Sequence, residues 1–189
     1  MLHSIEAKML SLGLLLGPLA VASAARADSA RRYDVEPGQA MVNATLGTKA
    51  QISAVSLGLT GSLHESNGEL RAQLQIPLAS FASGRGSTDA KTLAALGASL
   101  TPILTFEGTA PPDKEGRTRF SGTLTLHGTT QQIEVSATLS RIGDRIYVHA
   151  SFPISLGKFG VTVPGFGDLL HVDLDAGLRP VPEPLASRG

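Results

Sequence analysis

Apolar and polar residues alternate with a period of two over long stretches of the chain. In residues 69–78 (ELRAQLQIPL), every second position is leucine, isoleucine or alanine, and the positions between them are mainly polar. A period of two puts alternate side chains on opposite faces of a β-strand, so the apolar ones share a face. The same alternation recurs in residues 120–127, 132–139, 146–156 and 170–179. The pattern predicts a series of strands, each with one buried face.

The segment ahead of residue 66 alternates in the same way. It predicts one continuous strand with Val55, Leu57, Leu59, Gly61 and Leu63 on a single face.

Tight turns separate the predicted strands. Asn67-Gly68 lies between two alternating runs, and Asn-Gly is the strongest short hairpin signal because both residues tolerate a positive φ. Gly143-Asp144 predicts a second two-residue hairpin. The strands are therefore expected to pair antiparallel.

One segment breaks the period of two. Residues 88–98 (TDAKTLAALGA) are rich in alanine and leucine and predict a short helix, with Ser87 or Thr88 as its N-terminal cap. The preceding glycines, Gly84 and Gly86, fit a capping loop better than a phosphate-binding loop, because the P-loop lysine spacing is missing.

The first 27 residues predict a cleaved export signal. Lys8 precedes an apolar run at residues 9–21, and Ala25-Arg26-Ala27 fits the small-x-small cleavage rule. The run is too short for a membrane span, which takes about 20 residues. We therefore expect residues 28–180 to form a periplasmic or secreted barrel domain without stable membrane insertion, followed by a flexible, proline-containing tail at 181–189.

Composition removes several classes of function. The 16 basic residues balance the 16 acidic residues, so no charge surplus indicates a nucleic-acid partner. The chain has no cysteine, which excludes disulfides, thiol catalysis and thiolate metal sites.

About eight antiparallel strands and one short helix favour a closed barrel, because closure removes exposed strand edges. A two-sheet sandwich stays open as an alternative, since alternation alone does not show closure. A barrel of eight strands has room inside for side chains or for one small ligand. The predicted inward faces carry few aromatic residues, which leaves volume for a ligand.

Candidate catalytic groups are few. His127 ends a predicted strand beside Gly128, and neither a G-x-S-x-G nor an H-E-x-x-H motif accompanies it. His171, Asp173 and Asp175 share one strand face, with Asp168 nearby, and could form a metal or hydrolase site. The polar face of a half-buried strand produces the same pattern by itself, and we favour that interpretation.

Four segments together resemble the YceI-like family of periplasmic lipid- and polyisoprenoid-binding proteins. Residues 33–37 (YDVEP) resemble its opening Tyr-x-Ile-Asp-Pro, and residues 102–106 (PILTF) resemble its Pro-x-Ile-x-Phe strand. Residues 122–130 (GTLTLHGTT) resemble its Gly-x-Leu-Thr-Ile-His-Gly-Val-Thr hairpin, the most specific of the four. Residues 159–161 (FGV) resemble its Phe-Gly-Val before the last strand.

The resemblance implies an all-β fold, a lipocalin-like antiparallel eight-stranded barrel with a short helix and an elongated apolar cavity. It implies a long-chain isoprenoid or fatty-acyl lipid as the partner, no catalytic group, no metal and no cofactor. His127 is then a conformational and hydrogen-bonding residue rather than an enzymatic one. We take as candidate cavity-lining residues Leu74, Ile76, Leu104, Phe106, Phe120, Leu124, Leu126, Val135, Val148 and Phe152.

Two alternatives to a lipid carrier follow from the residues. One is a structural or interaction barrel filled by its own side chains, and the other is a His/Asp metal-dependent hydrolase. A continuous cavity of several hundred Å3 would favour the carrier, because ligand pockets are commonly of about that size.

Overall fold

The computed structural model describes residues 30–47, 51–112 and 115–182. The predicted export signal lies outside the described residues, as does the predicted tail from residue 183 onward. The described chain contains one α-helix, α1 (Gly86–Ala95), and nine strands. The strands are β1 (Arg31–Leu46), β2 (Ile52–Ser56), β3 (Thr60–Ser66), β4 (Glu69–Pro77), β5 (Ile103–Ala110), β6 (Arg117–Leu126), β7 (Thr129–Ile142), β8 (Arg145–Ser155) and β9 (Leu169–Pro180).

The strands form a closed antiparallel barrel. From β3 to β9 each strand pairs with the next along the chain, and β9 returns to pair with β1. Strands β2 and β3 pair with successive parts of the same edge of β1, so the barrel has eight strands in circumference. The predicted fold class is confirmed, and closure by β1 and β9 excludes the sandwich.

The barrel closes where the two ends of the described chain meet. Tyr33 pairs with Pro180, and the backbone N–H of Val181 donates to the carbonyl of Arg32 over 2.8 Å. The two segments are therefore neighbouring strands, although almost the whole domain separates them along the sequence.

The segment before the first hairpin is not one continuous strand, so that expectation was wrong. Val55 and Leu57 are 39% and 67% exposed, whereas Ser56 is completely buried. The Ser56 hydroxyl lies 2.6 Å from the Ser80 hydroxyl and accepts the N–H of Gly58 at 3.0 Å. These hydrogen bonds satisfy a buried serine, so the chain can turn Ser56 inward and interrupt the strand between β2 and β3.

Two hairpin turns use a non-glycine residue with positive φ. Asn67 and Gly68 have φ values of 50° and 69°, and His127 and Gly128 have values of 53° and 71°. Positive φ at both central residues defines the type I′ turn, which matches the twist of the flanking strands. The hairpins predicted at Asn67-Gly68 and Gly143-Asp144 are confirmed. His127 lies in the turn itself rather than on a strand face.

Helix α1 begins two residues before the predicted segment and ends three residues earlier. Its N-terminal cap is Arg85, which contributes no side-chain hydrogen bond, so the prediction of Ser87 or Thr88 was wrong. Asp89, in the first turn, instead accepts hydrogen bonds from the backbone and hydroxyl of Ser83. No residue of α1 is fully buried. In the described residues, no helix is long and apolar enough to cross a membrane.

Candidate functional site

The barrel encloses a cavity of about 150 Å3. Every strand contributes to its wall because the inward faces of all the strands are apolar, and α1 contributes at one end. All the lining residues are apolar except Ser62, Asp89 and Thr92. The interior can therefore hold an apolar molecule and has little capacity for a polar one.

All ten residues that we singled out as candidates from the sequence lie in the cavity wall. They come from strands β4 to β8, whose strict alternation assigns each side chain to a face. They are Leu74, Ile76, Leu104, Phe106, Phe120, Leu124, Leu126, Val135, Val148 and Phe152.

The candidates from the sequence left out the wall residues of β2, β3 and β9, and those of β1 and the α1 region. Strand β1 contributes Val35 and Val42, but its register shifts between residues 35 and 40, which hides the alternation. Helix α1 contributes Asp89, Thr92 and Leu93, and Leu96 directly after the helix continues the same face. The spacing i, i+3, i+4, i+7 marks one helix face and was the signal available in the sequence.

The cavity is smaller than the several hundred Å3 expected of a carrier. An apolar cavity of roughly 150 Å3 in another protein stays dry and binds one benzene-sized molecule. In its present shape the barrel therefore accommodates about six carbon atoms of a chain. A longer chain fits only if part of the wall moves outward.

One end of the cavity is closed by buried side chains. Tyr33, Leu70, Ala110 and Ile146 lie beyond the last lining residues of their strands, and each is 3% exposed or less. Outside this layer, the Arg141 guanidinium stacks over the Tyr33 ring, 5.9 Å from its centroid. The closed end is thus packed with apolar and aromatic side chains.

The opposite end is covered by α1. The helix lies between β4 and β5 and packs its Asp89–Leu93 face toward the cavity, although none of its residues is fully buried. Elements with few buried apolar contacts open at low free-energy cost. We therefore expect helix α1 to be the part of the wall that moves most easily.

His127 stabilises this covered end without lining the cavity. Its Nδ1 lies 3.3 Å from the carbonyl oxygen of Phe159. A Cβ atom at Gly97, just after α1, would lie 2.4 Å from the His127 ring, so only glycine allows this close approach. The imidazole therefore links the β6–β7 turn to Phe159 in the β8–β9 connection and to Gly97 after α1. This is the conformational role expected from the sequence.

The polar outer face of β8 and β9 is not arranged as a catalytic triad. The Ser151 hydroxyl and an Asp173 carboxylate oxygen lie 3.0 Å and 3.4 Å from the same nitrogen, His171 Nε2. A working triad needs the serine and the carboxylate on opposite nitrogens of the imidazole. In the part of the chain that the structure describes, no group of three potential ligands is positioned to hold a metal ion.

Asp168 is engaged locally rather than with His171. The Ser155 hydroxyl and the Gly157 N–H donate to its carboxylate and, with the nearby Lys158 ammonium, lower its pKa below the usual aspartate value. Its contacts tie together the two ends of the connection between β8 and β9.

Fold and cavity define a closed antiparallel barrel with an apolar interior that is sealed at one end and covered by a helix at the other. Residues 33–178 match the model of the YceI-like domain. The chain belongs to the YceI-like family. No curated protein matches the sequence.

Solved structures share the fold at low sequence identity. BcnA from Burkholderia cenocepacia superposes with a TM-score of 0.69 at 18% identity, covering 76% of this chain and 99% of that one. A polyisoprenoid binding domain from Saccharophagus degradans, implicated in plant cell wall breakdown, gives 0.62 at 20% identity, covering 79% and 98%. The YceI protein of Campylobacter jejuni gives 0.55 at 12% identity, covering 95% and 100%.

Proposed function

We propose that the protein binds a long-chain amphiphilic lipid, of polyisoprenoid or fatty-acyl type, and carries or sequesters it in the barrel cavity. The observation that carries this proposal is the largely apolar wall, which is sealed at the Tyr33 end and covered at the other end by α1 together with Leu78, Leu156 and Val163 of the neighbouring connections. The polyisoprenoid-binding description of the S. degradans relative supports the same ligand class.

Burial of the chain supplies the driving force. Each methylene removed from water contributes about 0.8 kcal/mol, so roughly 15 methylenes contribute on the order of 10 kcal/mol before ordering costs. Binding of a full chain requires α1 and the side chains beneath it to move outward, because the cavity holds only a short segment in its present form.

The proposal is non-enzymatic. Ser151 and Asp173 both contact the same nitrogen of His171, whereas a working triad needs them on opposite nitrogens. This geometry argues against a hydrolase site on the outer face. Because the cavity volume is small, a structural or interaction barrel that binds no ligand is the second candidate function.

We further propose that the protein acts in the periplasm or is secreted. The export-signal pattern of residues 1–27 supports this location. Sequencing the N-terminus of the exported protein tests it, with Asp28 as the expected first residue. A membrane-bound form that retains Met1 would contradict it.

A pair of phenylalanine substitutions tests ligand binding. Ala150 is buried in the cavity wall, and Ser151 points outward from the same strand. Native mass spectrometry of the protein from its own host should detect a bound lipid. Ala150→Phe should abolish this signal by filling the cavity, whereas Ser151→Phe should retain it. A wild-type protein that carries no lipid, and takes up none of a long-chain alcohol, would favour the barrel without a ligand.

A further inference from the structure

The polar residues of the cavity wall are concentrated at the covered end. Asp89 and Thr92 lie one turn apart on the inner face of α1, and the rest of the wall is apolar apart from Ser62 on β3. Among the described residues, Asp89 is the one ionisable side chain that lines the cavity. The wall therefore has a polar end with negative charge and an apolar end.

Asp89 keeps hydrogen-bonding capacity toward the cavity. Within the described chain its hydrogen-bond partners all belong to Ser83, whose N–H lies 3.2 Å from each carboxylate oxygen and whose hydroxyl donates to Oδ1. A carboxylate has about four acceptor sites, so acceptors remain for a ligand. Thr92 also lines the cavity, and its hydroxyl can complete the same polar patch.

No cation balances Asp89 from within the cavity. Arg85 and Lys91, the basic residues nearest to it in sequence, are exposed and do not line the wall. Over the residues that the structure covers, Asp89 forms no ion pair with a lysine, arginine or histidine. A ligand head group at this end meets an acceptor with negative charge.

We propose that the cavity selects its lipid by the head group: it takes lipids whose head donates a hydrogen bond, such as a long-chain alcohol, and disfavours those with a carboxylate or phosphate head. The inference rests on the proposed function and adds an orientation, with the head at Asp89 and Thr92 and the tail toward Tyr33. A donor head gains a charge-assisted hydrogen bond with Asp89. An anionic head meets a like charge in a partly desolvated site.

Two probes with the same chain length test the selectivity. The equilibrium affinities of 1-hexadecanol and hexadecanoate are measured at pH 8 on the delipidated, full exported chain. The alcohol should bind at least about tenfold more tightly, as expected for one charge-assisted hydrogen bond gained and one repulsion avoided. Equal affinities, or tighter binding of hexadecanoate, overturn the selectivity and leave the lipid-binding proposal intact. Failure of both probes to bind overturns the lipid-binding proposal and the selectivity with it.

Asparagine variants assign the effect to its residue. Asp89→Asn removes the charge at nearly constant shape, so the preference for the alcohol should fall to within about threefold, mainly through tighter binding of hexadecanoate. Asp168→Asn is the matched control, because Asp168 lies at the same end of the barrel outside the cavity. It should keep the wild-type preference. If Asp168→Asn removes the preference and Asp89→Asn does not, the assignment to Asp89 is wrong. Thermal melts confirm that both variants fold.

Discussion

Leu124 and Thr125 show how one position along a strand separates the two environments of the barrel. Leu124 is 2% exposed and lines the cavity, whereas the Thr125 hydroxyl lies on the outer face, 2.8 Å from the Thr130 hydroxyl. At this scale the sequence was informative, because a period of two leaves only two choices for each residue. It failed at Ser56, where hydrogen bonds with Ser80 and Gly58 outweigh the local pattern.

An aspartate at each of these two positions should have opposite consequences. Leu124→Asp puts a carboxylate into an apolar cavity, where it loses hydration or takes up a proton, so lipid binding should be lost and stability reduced by several kcal/mol. Thr125→Asp should change both by little, since Thr125 is only half-buried on the outer face and surface substitutions usually stay within about 0.5 kcal/mol. Urea denaturation and lipid uptake are measured on variants that keep a cooperative transition. Loss of binding in Thr125→Asp alone would mean that the inward and outward faces are reversed.

Gly122 is required by close backbone contact rather than by a turn. A Cβ atom there would lie 2.1 Å from the carbonyl oxygen of Glu107 on the neighbouring strand. We expect Gly122→Ala to reduce the free energy of unfolding by about 1–3 kcal/mol, as overpacking does elsewhere.

Gly86 provides the matched control. A Cβ atom at this position has no neighbour within 4 Å. Gly86→Ala should leave stability unchanged or raise it by roughly 0.4–1 kcal/mol, because alanine restricts the unfolded chain. Equal losses for the two variants in urea denaturation would show that the contact with Glu107 is not the cause.

At the scale of elements, the strands were easier to predict than α1 and its surroundings. Strand patterns come from local alternation, and the turns come from glycine with a residue that accepts positive φ. The bounds and cap of α1 depend on Asp89 reaching back to Ser83, a contact that local propensity does not contain. The candidate site followed the same division, since the ten candidates on β4 to β8 lie in the cavity wall, whereas no residue of α1 was among the candidates.

Hydrogen exchange tests whether α1 is the movable part of the wall. Because no residue of α1 is fully buried, its amides should exchange at least about a hundredfold faster than the central amides of β6 and β7, whose opening approaches global unfolding. Bound 1-hexadecanol should slow exchange in α1 more than in the strands if the helix covers the ligand. Protection of α1 equal to that of β6 without ligand would show that the helix is a fixed wall.

At the scale of the whole molecule, the sequence predicted an antiparallel barrel with eight strands in circumference but not how the barrel closes. Closure depends on β1 pairing with β9, and no local pattern signals a partner at the other end of the domain. The register shift between Val35 and Ala40 obscured the inward face of β1 still further. The cavity volume could not be predicted from the sequence either, because it depends on how all the inward side chains pack together.

The hydrogen bond between Val181 and Arg32 holds the first and last strands of the described chain side by side, so their ends can be joined and the barrel opened at one of its turns. Neighbouring strands lie about 5 Å apart, so a flexible linker of roughly six residues can join residue 182 to residue 30 without strain. New termini can then be placed at the exposed Gly143-Asp144 turn. This circular permutant should give the far-UV circular dichroism of the parent, a cooperative melt and the same lipid uptake. A permutant opened instead between Ser121 and Gly122, inside β6, should fail to fold, because the cut divides a strand that pairs on both edges.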